Sequence, residues 1–343
     1  MSTIYFLSPP DTEPSGGIKH LYRQADILNR NGYSAAVVHE RPGFRHTWFE
    51  NRTRVVSTSD IKLAATDFLV FPEVFGPQVS TFAKGVRKVV FNQNCYRTFA
   101  LYGLDRDKSA PSYLDPDVVA VIVASGNAEA YLRYAFPSKP LFRISLGIDA
   151  TLFSHQSVKR RCLAFMPRRL PDDLLQVVNI LKFRGVLDDV ELAPIDKMSE
   201  AQVAAAMKEA LVFLSFSSRE GFGLPPAEAM ACGCIVIGYA GGGGAEYLLP
   251  ELSYPVPDGD IVTFARTVEE VLAEHGRDPA QLAEKGRRAS AFILETYSVE
   301  REERSCIAAW RAIAGEPTGD ATIVEGGAKG LVWESQSPIR WQI

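Results

Sequence analysis

The 343-residue sequence contains no apolar run of about 18 residues, the length that a membrane-spanning helix requires. No positively charged start precedes Pro9 and Pro10, unlike in a secretory signal peptide. The five cysteines are odd in number and too sparse for a secreted disulfide-rich domain. These absences predict a cytoplasmic protein and leave open a peripheral contact with the inner face of the membrane.

Basic residues are not in excess, because 37 Lys and Arg stand against 41 Asp and Glu, for a formal net charge of -4. A nucleic-acid-binding domain usually carries a basic stripe and a basic isoelectric point, so we expect no nucleic-acid partner. Cys232 and Cys234 form a C-x-C pair, but no second Cys or His pair has the spacing of a zinc site. We therefore predict no bound metal and no cofactor.

Hydrophobic residues make up 46% of the chain, enough for two cores. Short apolar runs alternate with stretches of helical spacing, which indicates βαβ units and parallel sheets. The predicted strands are residues 4–7, 35–39, 68–71, 88–91, 118–124, 162–166, 190–193, 212–215 and 235–238. The predicted helices are residues 18–31, 172–183 and 200–210, one that starts at Pro226, and several over 261–314.

The strand–helix pattern restarts after a polar stretch at residues 154–161. We predict an α/β fold with two Rossmann-like doubly wound domains, residues 1–155 and 156–314, that face a central cleft. Whether the last helices cross back to the first domain stays open. Residues 315–343 are predicted to be a tail, partly packed or disordered.

The most informative part of the sequence runs from Ser217 to Glu246 and is called the acidic-glycine segment below. A predicted strand precedes it, and a helix with Pro226 in its first turn follows its glycines. Gly221 and Gly223 allow the backbone to approach a ligand closely. Free N–H groups and the positive end of the helix dipole suit a phosphate or diphosphate.

Two carboxylates flank this predicted phosphate site. Glu220 is expected in the loop, and Glu228, with seven residues between, in the first turns of the helix. A carboxylate can accept hydrogen bonds from two adjacent hydroxyls, so the pair suits a ligand with a sugar on one side and a ribose on the other. An acidic first turn that only stabilises the helix is the alternative for Glu228 alone.

The segment resembles the C-terminal-domain signature of retaining GT-B glycosyltransferases, in particular glycosyltransferase family 4, also called glycosyl transferases group 1. That pattern is E-G-F-G-L-P-x-x-E-A-M-A-x-G, then an apolar strand, a Gly-Gly turn and a Glu. The matching residues are Glu220, Gly221, Phe222, Gly223, Leu224, Pro225, Glu228, Ala229, Met230, Ala231, Gly233 and residues 239–246. The resemblance implies a GT-B architecture and transfer of a sugar from a nucleoside-diphosphate sugar, with retention of configuration, to a hydroxyl of a carbohydrate or glycolipid.

The resemblance also implies roles for single residues. Glu220 would contact the transferred sugar and act in catalysis together with Arg169, and Glu228 would hold the ribose hydroxyls. The backbone of the loop would line the diphosphate through Gly221, Phe222, Gly223 and Leu224. From the next turn, Gly243 and Gly244 would contact the sugar or acceptor, beside Glu246.

Other segments support the resemblance. Gly16 and Gly17 are similar to the family's Gly-Gly loop near the donor phosphates, and residues 145–153 to the N-G-V-D-x-x-x-F segment that ends the first domain. Arg168 and Arg169 stand where a family arginine neutralises the diphosphate.

The sequence departs from the family at two places. Leu174 and Leu175 occupy the region of a family lysine, so either Arg168 and Arg169 share its role or the diphosphate is held differently. Amides replace a histidine–aspartate element that faces the reacting sugar, and the alternatives there are a sugar or acceptor contact and a polar turn. The amide residues are Asn92, Gln93 and Asn94.

Two rival functions stay open. One is a non-catalytic sugar-nucleotide-binding subunit with the GT-B fold, and the other is a GT-B nucleotide-sugar epimerase, which would need acid/base carboxylates in the cleft. The sequence does not identify the base, the sugar, the acceptor or the oligomeric state.

Overall fold

A computed structural model describes residues 2–9, 14–104 and 111–316. The first sheet is built from β1 Thr3–Leu7, β2 Ser34–His39, β3 Val55–Ser57, β4 Phe68–Pro72, β5 Arg87–Asn92, β6 Val118–Val123 and β7 Leu141–Arg143. All neighbouring strands are parallel, in the order β3-β2-β1-β4-β5-β6-β7. The helices between them are α1 Gly16–Arg30, α2 Gln78–Thr81 and α3 Gly126–Ala135.

The second sheet contains β8 Arg160–Phe165, β9 Glu191–Pro194, β10 Ala210–Glu220, β11 Ile235–Gly242 and β12 Tyr254–Pro255. Its order is β12-β11-β10-β8-β9, again with parallel pairs throughout. Its helices are α4 Pro171–Phe183, α5 Glu200–Glu209, α6 Leu224–Ala231, α7 Ile261–Arg277, α8 Pro279–Thr296 and α9 Val299–Ala314. The predicted α/β class with two Rossmann-like parallel sheets is confirmed.

Both faces of the first sheet are buried, as parallel sheets require. Successive side chains of a strand point to opposite faces. In β4, Phe68 and Val70 therefore belong to one hydrophobic cluster, and Leu69 and Phe71 to another. The first of these clusters continues into the second sheet, so one core connects the two halves of the chain.

Helix α9 returns from the second sheet to the first. Its fully buried Trp310 places its ring 6.1 Å from the ring of Phe6 and 5.8 Å from that of Phe68. The connection between the sheets is also fixed, because the Ile148 N–H donates to the carbonyl of Tyr297 over 2.7 Å. The boundary at residue 155, between β7 and β8, stays a prediction. Most of the predicted tail, from residue 317 onward, lies outside the described residues.

None of the described helices combines the length and the apolar character that are needed to cross a bilayer.

Candidate functional site

The carboxyl ends of the strands of each sheet lie at one edge, where open α/β sheets bind ligands. The two edges face each other across a cleft that is closed by direct contacts. The side chain of Asn94, after β5, donates from Nδ2 to the carbonyl of Arg219 in β10 over 2.9 Å. The N–H of Gly126, at the start of α3, donates to Oε2 of Glu246 over 3.0 Å.

Glu220 is the last residue of β10 and pairs with Gly242 of β11. The prediction that Glu220 lies in a loop is therefore wrong. The register between the two strands shifts between Ser217 and Glu220, and Arg219 adopts a positive φ of 54°. This irregularity breaks the alternation of buried and exposed side chains by which a strand is recognised in a sequence. The glycine-rich end of β11 nevertheless pairs with the end of β10.

Arg169 and Glu220 form an ion pair at the head of the acidic-glycine segment. Arg169 lies in the turn after β8, where its N–H donates to the Met166 carbonyl, and its Nη1 lies 2.5 Å from Oε1 of Glu220. Only 17% of the Glu220 side chain is exposed, against 42% for Arg169. Arg168, on the same turn, is exposed. The structure thus brings Arg169, rather than Arg168, to the predicted sugar-binding carboxylate.

The main chain after Glu220 is held between two other segments. A Cβ atom at Gly221 would lie 1.7 Å from the carbonyl oxygen of Gln93, and one at Gly243 would lie 2.1 Å from the carbonyl oxygen of Gly221. Real Cβ atoms do not approach oxygen this closely, so only glycine fits at both positions. Gly243 and the buried Gly244 therefore support the loop from behind, and their contact with a ligand stays a prediction.

Helix α6 starts directly after this loop, with Gly223 as its N-cap. Pro225 and Pro226 lack N–H groups, which leaves Gly223 and Leu224 as donors at the helix end. The side chain of Phe222 is buried, with its ring 5.2 Å from Tyr247 and 5.0 Å from Tyr297. Phe222 could thus meet a ligand only through its main chain, and its predicted place along the diphosphate stays a prediction.

Glu228 lies inside α6, as predicted, and is half-buried. Burial raises the pKa of its carboxyl to about 7, opposed by the positive charges of Lys19 and Arg23 on α1 and reinforced by Glu200. Lys19 also forms an ion pair with Glu200 across the cleft. Sequence reasoning missed Lys19 and Arg23, although both follow the Gly-Gly loop within two helical turns.

Gly16 and Gly17, the predicted Gly-Gly loop, are the first two residues of α1 and lie against the acidic-glycine segment. A Cβ atom at Gly16 would lie 2.6 Å from Cδ1 of Leu224. The carbonyl of Gly17 accepts a hydrogen bond of 3.1 Å from Nε2 of Gln93. The two glycine loops predicted to surround the donor phosphates are thus neighbours across the cleft.

The three predicted amide residues do not share one environment. Gln93 and Asn94 lie at the cleft, where they contact both glycine loops. Asn92 is fully buried, and its Nδ2 donates to Oγ1 of Thr98 over 2.9 Å and to the hydroxyl of Tyr113 over 2.7 Å. The predicted sugar or acceptor contact of Asn92 is therefore wrong, because its side chain points into the first domain.

Part of the sequence is similar to a known protein family. Residues 176–289 match the family model described as glycosyl transferases group 1. The match lies in the second half of the chain and includes the acidic-glycine segment. The chain is similar to the alpha-1,6-glucosyltransferase of Actinobacillus pleuropneumoniae serotype 7 (strain AP76), with 28% identity over 197 residues, 54% of this chain. The match spans 57% of that protein's length, so this chain matches little more than half of its curated relative.

Solved structures with the same fold cover nearly the whole chain. Sucrose-phosphate synthase from Thermosynechococcus elongatus superimposes with a TM-score of 0.66 at 14% identity, over 91% of this chain and 99% of the other. Anabaena HepE, solved in complex with UDP and glucose, gives a TM-score of 0.64 at 12% identity, over 91% and 100%. These likenesses establish the GT-B architecture.

Leucines occupy positions 174 and 175, the region where the family pattern has a lysine. Leu174 of α4 is buried in the core of the second domain, so a cation at that position would be desolvated. Leu175 is 57% exposed. Arg169 of the preceding turn is therefore the cation that α4 and its entry loop bring to Glu220.

The acidic-glycine segment ends in Glu246, which connects the two sheets. Nη2 of Arg143 lies 2.8 and 2.9 Å from its two carboxylate oxygens, and the hydroxyl of Tyr297 donates to Oε1 over 3.1 Å. With the Gly126 N–H, Glu246 collects donors from three separate segments. Sequence reasoning could not find Arg143, because no local motif connects it with residue 246.

Within the described residues, no group of three or more His, Cys, Asp or Glu side chains is arranged to hold a metal ion. Cys232 and Cys234 are buried thiols, and Cys234 Sγ donates to the Met207 carbonyl over 2.8 Å.

Proposed function

We propose that the chain transfers a sugar from a nucleoside-diphosphate sugar to a hydroxyl of a carbohydrate or glycolipid acceptor, with retention of anomeric configuration. The observation that carries the proposal is the Arg169–Glu220 ion pair, at the carboxyl edge of the second sheet and directly before the glycine loop. The name of the glucosyltransferase relative and the UDP in the HepE structure support a nucleotide-sugar donor.

In the proposed reaction the leaving group is a nucleoside diphosphate, so the main task is to stabilise negative charge as the sugar–phosphate bond breaks. Fixed N–H groups of the glycine loop and the guanidinium of Arg169 are suited to this task, because they are oriented before the reaction starts. Glu220 would then accept hydrogen bonds from sugar hydroxyls, and Glu228 from ribose hydroxyls.

Retention follows in this proposal from attack on the same face from which the diphosphate leaves. Glu220 is neutralised by Arg169, which disfavours it as a covalent nucleophile. The departing phosphate would take the proton of the acceptor hydroxyl. The anomeric configuration of the product, read from its proton coupling constants by NMR, tests this point, and an inverted product would reject it.

Donor binding can be tested before any acceptor is known. A thermal-shift screen across nucleoside diphosphates and their sugars should raise the melting temperature for the correct nucleotide, since a ligand of the native state stabilises it. Nucleoside monophosphates should shift it less, because they lack the second phosphate for the glycine loop. No shift with any nucleoside diphosphate would argue against the proposal.

The two rival functions differ from the proposed sugar transfer in what the protein would turn over. A binding subunit would bind the donor but release no nucleoside diphosphate with any acceptor. An epimerase would convert the nucleotide sugar without an acceptor, and NMR of the sugar would reveal the epimer. The sequence predicts no bound metal, so the proposal also predicts that turnover continues in excess EDTA.

A further inference from the structure

Glu73 is a buried carboxylate at the cleft to which the proposed reaction gives no role. It follows β4 at the carboxyl edge of the first sheet and is 6% exposed. Buried carboxylates are rare without a cationic partner. In the part of the chain that the structure describes, Glu73 forms no ion pair, and its Oε2 instead accepts a hydrogen bond of 2.9 Å from the N–H of Gln93.

The titratable groups around Glu73 are Cys95, Tyr113 and Arg97. Burial raises the pKa of the Glu73 carboxyl to about 7, against the N–H of Gln93 and the charge of Arg97, which lower it. A carboxyl with this pKa is partly neutral near pH 7. The role of Glu73 as an acceptor at a fixed place rests on the hydrogen bond from the Gln93 N–H.

The Gln93 peptide connects Glu73 with both sides of the cleft. The carbonyl oxygen of Gln93 lies against Gly221 of the acidic-glycine segment, and its side-chain Nε2 donates to the carbonyl of Gly17. The next residue, Asn94, donates to the carbonyl of Arg219. Fixing one N–H at residue 93 therefore fixes contacts to the Gly-Gly loop and to the acidic-glycine segment.

We propose that Glu73 is a positioning residue of the cleft, which holds the main chain at Gln93 so that Gln93 and Asn94 meet the acidic-glycine segment. The consequence for turnover rests on the proposed function, whereas the contact itself does not. Sequence reasoning missed Glu73 because it precedes the amides by twenty positions and lies in no motif.

Two substitutions at Glu73 distinguish the effect of side-chain length from the effect of charge. Glu73→Gln keeps the length and an acceptor oxygen and removes the charge. Glu73→Asp keeps the charge and shortens the side chain by one methylene, so the carboxylate no longer reaches the N–H of Gln93. Amide hydrogen exchange of the whole chain, without ligand, should be followed in peptides that cover residues 90–97 and 217–224. We expect Glu73→Asp to speed exchange in both peptides by about tenfold, the cost of one buried hydrogen bond.

Glu73→Gln should exchange like the wild type in both peptides. Its kcat/KM for the donor should also be like that of the wild type, whereas Glu73→Asp should lower kcat/KM. Asp26→Asn is the matched control, since Asp26 is a carboxyl of α1 whose pKa burial also raises and which accepts a hydrogen bond from the Thr53 hydroxyl. It should leave residues 217–224 unchanged. If Glu73→Asp does not fold, Glu73→Met removes the acceptor at similar volume.

The proposal is overturned if the Asp or Met variant changes only residues 90–97, or speeds exchange throughout the chain. It is also overturned if Glu73→Gln speeds exchange at 217–224 as much as Glu73→Asp, because charge would then matter more than reach. A wild-type protein that turns over no nucleotide sugar would reject the proposed function and leave the exchange result intact.

Discussion

At the scale of single residues, Arg168 and Arg169 offer a direct comparison. They are adjacent in one turn, yet Arg169 is paired with Glu220 and Arg168 is exposed. We expect Arg169→Ala to lower kcat/KM for the donor by about 100-fold, since a preorganised donor to a developing oxyanion contributes roughly this much. Steady-state release of nucleoside diphosphate measures it.

The matched control is Arg168→Ala, which should change kcat/KM by no more than about threefold, in line with the small energies of exposed charges. Equal losses in the two variants would mean that both arginines reach the diphosphate and that the ion pair with Glu220 does not select between them.

Glu228 is expected to lower the stability of the protein at high pH and yet to contribute to donor binding. Its folded pKa of about 7 lies above the ordinary value of 4.5, so its contribution to stability is present below pH 4.5 and is lost as the pH rises through 7. At pH 8 the wild type buries a charge that Glu228→Gln lacks. We expect the variant to unfold in urea with a free energy about 1–3 kcal/mol higher at pH 8, with a smaller gain at pH 5.

Donor affinity of Glu228→Gln should nevertheless fall, because an amide accepts from ribose hydroxyls through one oxygen only. A variant that is both less stable at pH 8 and unchanged in affinity would contradict the assignment of Glu228 to a binding site.

At the scale of elements, the loop between β10 and α6 depends on glycine. Gly221→Ala would place a methyl group 1.7 Å from the Gln93 carbonyl, so the two loops must separate. We expect kcat to fall by at least about 100-fold, since a displacement of about 1 Å can cost this much. The expected loss of stability is about 1–3 kcal/mol, measured by thermal unfolding.

Gly276→Ala is the control for this substitution. Gly276 lies in α7, and a Cβ there meets nothing within 4 Å. Its replacement should leave activity unchanged and raise stability by about 0.5–1 kcal/mol. Retained activity in Gly221→Ala would show that the close contact with Gln93 is dispensable.

The long strands and helices could be predicted because their apolar periodicity is local. β3, β7 and β12 were missed, since two or three residues carry no readable period. Glu220, Gly221 and Glu228 stand in one continuous motif, so the sequence alone could single them out as candidates. It could not single out Glu73 and Arg143, because each contacts a segment distant in sequence that only the fold brings near.

At the scale of the whole molecule, the contacts of Glu246 hold the two sheets together at the cleft. Arg143→Ala removes a half-exposed ion pair, so the free energy of unfolding should change by less than about 1 kcal/mol. The domains should nevertheless open more easily, because the lost pair crosses the cleft. We expect a larger radius of gyration by small-angle scattering and a several-fold lower kcat, since closure assembles the site.

Arg133→Ala serves for comparison, because it removes a more exposed pair with Glu129 that lies within one helix of the first domain. It should change neither the radius nor kcat. The same response in both variants would mean that the Arg143–Glu246 pair has no part in domain closure.

The most direct test of the central claim is the release of nucleoside diphosphate from a panel of nucleotide sugars that includes UDP-glucose, with carbohydrate acceptors added. The account predicts release with at least one donor, a loss of about 100-fold or more in Glu220→Gln, and wild-type rates in Glu270→Gln, an exposed glutamate of α7. No release with any donor, or undiminished release in Glu220→Gln, would contradict it.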